Sequence, residues 1–295
     1  MESSFSCPAC VSNEWDDVGT HFYWRVEHEP GGIWYWDTEV RIRRKVLFEV
    51  WLPEAVVVTL RSRRCRQCGL ICYAPRPSED DLRRKYDYLR AARLESALIE
   101  PSPQVEISDY ERALAILDVT APYLASGALV LDVGGGDGRL MRPFVDRGFE
   151  CFLVDRVDHT RPGVRKLANS LESLSAQPAF DVAVCSHVLE HVASPRQMLQ
   201  EIHARLRQGG IVYVEVPLEV FFSNARNPIV AEPVEHINFF TPTGIAQVLS
   251  VAGFEHDGAQ VTWSSYEGRQ LPVIRAVGLR PKCAQSGDAD QRHLR

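Results

Sequence analysis

The sequence has 295 residues, but only three are methionine, and no apolar run approaches the ~20 residues of a membrane-spanning helix. It also lacks an excess of positive charge, because 39 acidic residues outnumber 33 basic ones and give a net charge of −6. Bulk charge therefore does not drive binding to nucleic acid or to an anionic membrane. The N-terminus has neither the charged nor the apolar region of a signal peptide, so we expect a cytoplasmic protein without a membrane span.

Cysteine, in contrast, occurs eight times. Four of these residues form two C-x-x-C pairs, Cys7/Cys10 and Cys65/Cys68. Paired thiols in a reducing compartment indicate a metal site rather than disulfides, and four thiolates suit tetrahedral zinc. A redox dithiol or two unrelated pairs are the alternatives. Because a zinc ion held by four cysteines has no open position for a substrate, we assign this site to folding and not to catalysis.

Composition divides the chain into four parts, which are residues 1–73, 74–106, 107–283 and 284–295. The first part holds both cysteine pairs and β-rich segments at 33–40, 45–52 and 56–60, which predict a small zinc-ribbon-like β module. In the second part Ser78 is expected to cap a helix that forms a linker or lid, and Pro101 and Pro103 are expected to break the chain again. The last part is predicted to be a disordered tail.

The third part alternates helix with strand, from an amphipathic helix at 109–124 to an antiparallel pair of strands at 261–264 and 273–279. A helix with proline at its first position begins after Ser194 in a capping-box pattern. This order of elements predicts an α/β fold in which a mostly parallel sheet carries helices on both faces.

The most informative stretch follows a strand expected at 128–133. Gly134, Gly136 and Gly138 form a turn, and a helical pattern begins at Arg139. Glycine tolerates positive φ and lets a ligand approach the backbone without a Cβ in the way, and the first amides of the next helix then face that ligand. The loop therefore predicts a nucleotide-cofactor site, and the spacing G-x-G-x-G favours S-adenosylmethionine over a dinucleotide.

Five strings carry a resemblance to a known family: CPAC, CRQCGL followed by PRPSEDDL, LDVGGGDGRL, FDVAVCSHVLEHV and EHINFFTPTGIAQVLSVAGF. Through them the chain resembles the class I S-adenosylmethionine-dependent methyltransferases over residues 107–280, and more narrowly the bacterial branch that carries an N-terminal zinc-binding module. The resemblance implies a Rossmann-like sheet of seven strands, mostly parallel, next to the zinc-ribbon-like module. It also implies S-adenosylmethionine as cofactor and zinc as a structural metal.

The family's cofactor contacts can be carried over to matching positions. The three glycines of the loop match those that let the methionine part and the ribose of the cofactor approach the backbone. Asp132, at the end of the preceding strand, matches the residue that orients the cofactor's amino group. Asp155, at the end of the next strand, matches the acid that accepts hydrogen bonds from both ribose hydroxyls, and the alternative is that it only caps a turn. Ser186 is a further expected cofactor-binding residue.

Histidines and an acid follow the strand expected at 181–185. Metal-assisted members of the superfamily, such as ubiquinone-pathway O-methyltransferases and small-RNA 2′-O-methyltransferases, hold a divalent cation with a pattern E-x-x-E-H and a distant histidine. Glu190, His191 and His236 match three of those positions, and His187 stands where the first Glu should be. A third imidazole would favour zinc or iron over magnesium. Two alternatives stay open: His191 or His236 as a metal-free general base, and a purely structural cluster.

Segment 215–235 lies where this architecture binds its substrate. It supplies aromatic and polar side chains, which are Phe221, Phe222, Asn224, Arg226 and Asn227. With Tyr86 and Tyr88 of the linker helix, we expect these side chains to form a lid over a polar, ring-shaped acceptor. The alternative is ordinary packing of an aromatic loop.

These features predict an O-methyltransferase that acts on a hydroxyl of a small polar acceptor, such as a sugar, a glycan or a biosynthetic intermediate. Histidine or a divalent metal is expected to remove the proton. C-methylation of a nucleotide-linked sugar and methylation of RNA with the zinc module as reader are the other enzymatic interpretations, and the acidic net charge counts against RNA. A regulatory protein that binds the cofactor without turnover is the non-enzymatic alternative. The sequence leaves the acceptor and the oligomeric state open.

Overall fold

The computed structural model describes residues 5–25, 44–95, 103–174, 179–219, 234–266 and 268–282. Four expectations from the sequence lie outside these residues: the strand at 33–40, the break at Pro101, the loop side chains at 221–227 and the tail at 284–295. Within the described residues, no helix is both long and apolar enough to cross a membrane.

The strands are, in chain order, β1 (Trp15–Trp24), β2 (Val57–Cys65), β3 (Ile71–Ala74), β4 (Leu129–Val133), β5 (Glu150–Val154), β6 (Val164–Ala168), β7 (Phe180–Ser186), β8 (Leu206–Pro217), β9 (Asn238–Phe239), β10 (Gln260–Tyr266) and β11 (Arg269–Leu279). The α-helices are α1 (Glu79–Glu95), α2 (Pro103–Thr120), α3 (Arg142–Asp146), α4 (Pro195–Arg205) and α5 (Pro242–Val251). Single 3₁₀ turns are formed by Ala121–Tyr123, Arg139–Met141 and Leu189–His191, and a π-type helical segment by Val46–Trp51.

Seven strands form one sheet in the order β10-β11-β8-β7-β4-β5-β6. β4 pairs in parallel with β5 and β7, β5 with β6, and β7 with β8, while β11 runs antiparallel to β8 and to β10. The expected Rossmann-like α/β fold is thereby confirmed. The sequence analysis did not identify β6, because Val164–Ala168 contains an arginine and a lysine and is mostly half-buried.

Side chains of the central strands alternate between two buried clusters. In β4, Leu131 belongs to one cluster and Val130 to the other. The first cluster includes Leu199 of α4 and Ile245 of α5, and the second includes Ile116 of α2. Because neighbouring side chains of a strand point to opposite faces, the helices cover both faces of the sheet.

A second, four-stranded sheet has the order β1-β2-β3-β9 and is antiparallel throughout. Three of its strands come from the N-terminal part of the chain, whereas β9 follows β8 of the large sheet. Cys7 and Cys10 precede β1, Cys65 ends β2, and Cys68 lies in the turn before β3. The chain therefore crosses back to the N-terminal sheet after leaving the large one.

The strand expected at 45–52 is wrong, because this segment is helical. Four of the six residues of Val46–Trp51 are buried, and three of those are consecutive. A strand exposes alternate residues when one face is solvated, so it would not give this pattern. Trp51 also donates its Nε1–H to the Asp81 carbonyl oxygen at 2.8 Å. Packing under α1 overrides the β-branched and aromatic composition of the segment.

Local capping decides where helices begin. Ser78 Oγ accepts from the Asp81 N–H at 3.2 Å, and the Asp81 carboxylate accepts from the Ser78 N–H at 3.0 Å, which confirms the expected start of α1. Ser194 caps α4 as expected. Pro103 lies at a helix boundary, as expected, but α2 begins there and not at the expected residue 109. At that position the missing N–H of proline would have had no helical partner.

A buried carboxylate ties α2 to the large sheet. Glu215 of β8 is 0% exposed. It accepts hydrogen bonds from Arg112 Nε at 2.9 Å, from the Tyr213 hydroxyl at 2.8 Å and from Arg275 at 3.2 Å. Burial raises the pKa of Glu215, but the charge of Arg112 above all lowers it, and the result is about 2. Glu215 is therefore an ionised, compensated charge at neutral pH.

Replacement of this carboxylate by its neutral isostere, Glu215→Gln, is expected to leave two buried or half-buried arginines without their anion. We expect the free energy of unfolding to fall by about 3–5 kcal/mol, the range for breaking one side of a buried ion pair. Urea unfolding followed by circular dichroism measures this. Asp16→Asn is the matched control, because its partner Arg66 is exposed, and its midpoint should stay near that of the wild type. Equal midpoints for both variants would contradict the assignment.

Candidate active site

The residues expected to bind the cofactor lie at the carboxyl edge of the parallel strands. Asp132 is near the end of β4, Asp155 follows β5, and Ser186 ends β7. Because β4 pairs in parallel with both neighbours, these strand ends face the same side of the molecule. The chain continues to β5 and β6 on one side of β4 and to β7 and β8 on the other. Such a switch point in an open α/β sheet is where ligands bind.

The glycine loop has the conformation that its sequence requires. Gly134, Gly136 and Gly138 have φ values of 69°, 63° and 81°, which residues with a Cβ rarely adopt. Gly135 was not singled out by the sequence analysis, yet a Cβ there would lie 1.9 Å from Asp132 Oδ2. The loop therefore passes directly over the Asp132 carboxylate.

Asp132 is buried, and its Oδ2 has no hydrogen-bond partner in the described part of the chain. Burial, with a smaller contribution from the negative charge of Asp155, raises the pKa of Asp132 to about 7. An unpartnered buried carboxyl is costly in a protein interior. A cationic donor entering beside the loop would relieve that cost.

The carboxylate of Asp155 caps the turn that follows β5. Its Oδ2 accepts from the Gly136 N–H and its Oδ1 from the Val157 N–H, both at 2.9 Å. The capping role considered as an alternative is thus present. A carboxylate has about four lone-pair positions, so each oxygen can still accept from one further donor. Turn capping and ribose binding are compatible at this residue.

A cavity of about 210 Å³ opens beside the loop. Its lining includes Gly134, Gly135, Arg112, Ser186 and Tyr266. Arg112 donates to Ser186 Oγ at 2.6 Å and so connects the cavity to the Glu215 network.

Arg112 and Tyr266 were missed by the sequence analysis. Arg112 did leave a signal, since it lies four residues before Ile116 on the buried stripe of α2. No sequence pattern indicated Tyr266, because its position beside the glycine loop depends on how β10 packs against the rest of the sheet.

His187 also lines the cavity, with backbone strain at φ 56°. Its ring stacks on Tyr266 with centroids 5.2 Å apart and an interplanar angle of 11°. Its Nδ1 lies 3.4 Å from Glu190 Oε1 and its Nε2 lies 3.6 Å from Glu215 Oε1. Burial, reinforced by the positive charge of Arg112, lowers the pKa of His187 to about 3. The imidazole is therefore neutral and lies between two acids.

Glu190, His191 and His236 form a compact group, with one ligand atom of each within 4.8 Å of the others. The rings of His191 and His236 are 4.6 Å apart, measured between centroids. Glu190 is 0% exposed, and neither of its carboxylate oxygens has a hydrogen-bond partner among the residues described. Burial raises the pKa of Glu190 to about 7. Of the four residues expected at this position, the structure brings these three together and places His187 beside them.

Both histidines of the group have one ring nitrogen occupied. His191 Nδ1 lies 2.8 Å from the Glu235 carbonyl oxygen, and His236 Nδ1 lies 2.9 Å from the Glu219 carboxylate. Because these partners can only accept, both Nδ1 atoms carry a proton. Burial lowers the pKa of His191 well below its usual value, so its Nε2 keeps a lone pair. Burial also lowers the pKa of His236, but the hydrogen bond and the charge of Glu219 outweigh it and raise that pKa above its usual value. Metal-ligating histidines are oriented in this way by carbonyl or carboxylate partners. No pattern in the sequence indicated the Glu219 contact.

The four paired cysteines meet in a buried cluster, separate from the edge of the large sheet. Cys7 Sγ lies 3.6 Å from Cys68 Sγ, and Cys10 Sγ lies 3.5 Å from Cys65 Sγ. These distances exceed the ~2.05 Å of a disulfide. They are close to the ~3.8 Å between sulfurs that tetrahedral Zn–S bonds of about 2.3 Å require. The donor set and its spacing fit a zinc ion.

Helix α1 crosses the carboxyl edge of the large sheet. Lys85 Nζ donates to the Val234 carbonyl oxygen, and Arg90 donates to the Arg156 carbonyl oxygen at 2.7 Å. Tyr86 stands beside this second contact, with the Arg156 guanidinium 5.5 Å from its ring centroid. Tyr88 instead donates to Glu49, away from the edge. Of the two tyrosines expected in a lid, the structure places Tyr86 at the site.

A family model described as a methyltransferase domain matches residues 105–257, which is slightly more than half of the chain. The chain belongs to the S-adenosylmethionine-dependent methyltransferases. The matched region begins in α2 and ends after α5, so it contains the glycine loop, Asp155 and the Glu190 group.

Curated relatives are similar at low identity. The ubiquinone biosynthesis O-methyltransferase of Rickettsia akari (strain Hartford) is 22% identical over 179 residues, which is 51% of this chain and 71% of that protein. The protein of the same name from Caulobacter vibrioides is 32% identical over 124 residues, which is 35% of this chain and 47% of the relative.

Among solved structures, a 1,6-didemethyltoxoflavin-N1-methyltransferase from Burkholderia thailandensis is similar with a TM-score of 0.54 and 20% identity. The match covers 76% of this chain and 96% of that one, whose structure holds 1,6-didemethyltoxoflavin and S-adenosylhomocysteine. At this identity the likeness confirms the fold.

The raised pKa of Asp132 predicts how the free energy of unfolding depends on pH. Its folded-state pKa of about 7 lies above the ~3.9 of an unfolded chain. Between these values the native state keeps a proton that the unfolded state has lost, so wild-type stability falls as pH rises through this window. Asp132→Asn cannot ionise. Its stability relative to the wild type should therefore rise from pH 4 to pH 7, by at most about 4 kcal/mol. Urea unfolding of the ligand-free proteins at several pH values measures this, and parallel curves would contradict it.

Proposed function

We propose that this chain transfers the methyl group of S-adenosylmethionine to a hydroxyl oxygen of a small polar acceptor, such as a sugar, a glycan or a biosynthetic intermediate. The observation that carries the proposal is the group of Glu190, His191 and His236. The turn after β7 and the segment before β9 bring together a buried carboxylate without a hydrogen-bond partner among the described residues and two imidazoles whose Nδ1 atoms are held by other groups. Relatives named as O-methyltransferases add support for oxygen as the acceptor atom.

In this proposal the cofactor lies over the glycine loop. Gly134, Gly136 and Gly138 allow its methionine part and ribose to approach the backbone. Asp132 orients its amino group, and the unpartnered Oδ2 of Asp132 suits such a cationic donor. Asp155 accepts from the ribose hydroxyls with the lone pairs that its backbone contacts leave free, while Ser186 lines the same cavity.

The cofactor supplies an electrophilic methyl group on a positively charged sulfur. The chain must hold the acceptor oxygen in line with that carbon and take the proton of the hydroxyl. An O–C bond forms while the C–S bond breaks, and S-adenosylhomocysteine leaves. His191 and His236 are the candidate bases, because the Nδ1 of each is held by another group and its Nε2 is the nitrogen that can take the proton. Burial keeps His191 neutral, whereas His236 acts as a base only after losing the second ring proton that Glu219 favours.

The same three residues fit a divalent cation. Two imidazoles and one carboxylate, with both Nδ1 atoms held by other groups, form a donor set that favours zinc or iron over magnesium. Such an ion would lower the pKa of the acceptor hydroxyl. His187 stands where the metal-assisted relatives have an acid and lies beside Glu190, with its Nδ1 3.4 Å from Glu190 Oε1. A zinc ion at Cys7, Cys10, Cys65 and Cys68 would be structural.

The function is tested by product analysis with S-adenosylmethionine labelled in its methyl carbon. Acceptors with a free hydroxyl are offered in pairs with their methyl ethers. We expect label on oxygen only in the free acceptors, identified by the carbon chemical shift of the product. His236→Asn should lower kcat by about 100-fold or more, as for loss of a general base or of a metal ligand, and leave S-adenosylhomocysteine binding within twofold.

Asp155→Asn is the matched variant for cofactor binding, because it removes the carboxylate that accepts from the ribose hydroxyls in this proposal. We expect it to weaken S-adenosylhomocysteine binding by about tenfold or more, measured by calorimetry. Label on carbon, or a wild-type rate in His236→Asn, would contradict the proposal.

Metal content gives a separate prediction. Protein equilibrated with buffered Zn²⁺ should hold two equivalents by elemental analysis. Cys7→Ser should lose one of them because a tetrahedral site loses a ligand, and Glu190→Gln should lose the other. One equivalent in the wild type, lost entirely with Cys7→Ser, would leave the Glu190 group metal-free and favour the histidine base.

A further inference from the structure

The proposed catalytic residues stand on two short segments outside the ladder of the large sheet. Glu190 and His191 belong to the 3₁₀ turn after β7, and His236 lies just before β9. The two segments are bonded to each other. The Ile237 N–H donates to the Glu190 carbonyl oxygen at 2.9 Å, and Asn238 Nδ2 donates to the Leu189 carbonyl oxygen at 2.7 Å. These hydrogen bonds join the two segments into one unit.

The N-terminal sheet supplies an anchor. β9 pairs with β3, with Phe239 opposite Ile71 and Asn238 opposite Cys72. β3 begins three residues after Cys68. The segment that carries His236 therefore leads directly into a strand of the sheet that holds the cysteine cluster.

Arg76, at the end of the same sheet, binds both segments at once. It is 5% exposed. Its guanidinium donates to the Ile237 carbonyl oxygen at 3.0 Å, to the Ala193 carbonyl oxygen at 2.8 Å and to Asn238 Oδ1 at 2.7 Å. A planar group with five donors suits this set of acceptors, and a lysine ammonium does not reproduce it.

The turn at 65–68, which we call the cysteine knuckle, contacts the start of α5. The Cys68 carbonyl oxygen accepts from Thr241 Oγ1 at 2.7 Å, and Thr241 Oγ1 in turn caps α5 by accepting from the Gly244 N–H at 2.9 Å. Gly69 has a φ of 74°, and a Cβ there would lie 3.1 Å from Thr241 Cγ2. The chain after His236 is thus fixed at Asn238 by β3 and at Thr241 by the knuckle.

Buried side chains of the two parts pack together at this point. Cys65, Cys68 and Leu70 belong to the same buried cluster as Leu189 and Ile245 of the methyltransferase domain. A change in the packing of the thiols would therefore reach the turn that carries Glu190.

We propose that the cysteine module, which is the N-terminal sheet with its four paired cysteines, is a positioning element for the Glu190, His191 and His236 group. It acts through Arg76, Asn238 and Thr241. The inference rests on the proposed function for that group. The glycine loop and Asp155, in contrast, are placed by β4 and β5 of the large sheet. Disturbing the module should misplace the catalytic group and leave cofactor binding nearly intact.

The test uses the full zinc-loaded chain with labelled histidine rings, and compares Arg76→Lys with Arg66→Lys. Arg66 is the matched control, because it lies in the same module but is exposed and paired with Asp16. In Arg76→Lys we expect the ring signals of His191 and His236 to shift, while those of His203 and His256 stay in place. kcat should fall by about 10- to 100-fold, the range for outer partners of site ligands, with S-adenosylhomocysteine affinity within twofold. Arg66→Lys should match the wild type in every measurement.

A second pair keeps Arg76 intact. Thr241→Val removes the hydroxyl that donates to the Cys68 carbonyl oxygen, and Thr241→Ser retains a hydroxyl at this position. We therefore expect Thr241→Val to shift the His236 ring signal and Thr241→Ser to leave it at its wild-type position. Unmoved signals of His191 and His236 in Arg76→Lys would overturn the proposal. Shifts of all four histidines together with loss of S-adenosylhomocysteine binding would also overturn it, since they show a general loss of structure. The ring signals test the positioning role separately from the proposed function, because they can be measured even if the chain transfers no methyl group to oxygen.

Discussion

Parallel pairing of β4 with β5 on one side and β7 on the other is the constraint on which the site depends. Parallel strands need crossover connections, so their carboxyl ends meet at one edge and the loops after them converge. Asp132, Asp155 and Ser186 are far apart in sequence, yet this pairing places all three at that edge. The glycine loop fills the gap between strand ends because its positive φ angles turn the chain back over Asp132.

Two kinds of buried acid occur among the described residues. One kind stabilises the fold, and the other lies in the candidate active site. Glu215 is surrounded by Arg112, Arg275 and hydroxyl groups, so it remains charged and stabilises the sheet against α2. Asp132 and Glu190 are also buried, but Asp132 Oδ2 and both carboxylate oxygens of Glu190 have no hydrogen-bond partner among the described residues. An uncompensated buried carboxyl is unfavourable for folding. Its presence twice at the same edge indicates that ligands complete the contacts.

Much of the large sheet was predictable because its signals are local. The apolar run of β4, the glycines after it and the caps at Ser78 and Ser194 each act within a few residues. The errors have physical reasons. The segment 45–52 has a strand-like composition, but packing under α1 makes it helical.

Contacts over long sequence distances were not predictable. The bond from Arg112 to Glu215 joins residues 103 positions apart, and the two-residue strand β9 has no pattern of its own. The proposed catalytic group combines both cases. Its histidines and acid were readable as a motif, whereas Glu219, Arg76 and Asn238 around them depend on tertiary packing. Glu190 and His191 lie four and five residues beyond β7, whereas His236 lies two residues before β9 of the N-terminal sheet. The group therefore joins segments that are placed by different sheets. In this chain the strand pairing, the guanidinium and the knuckle carbonyl of the N-terminal sheet all reach those two segments, and that makes the cysteine module part of the geometry of the site.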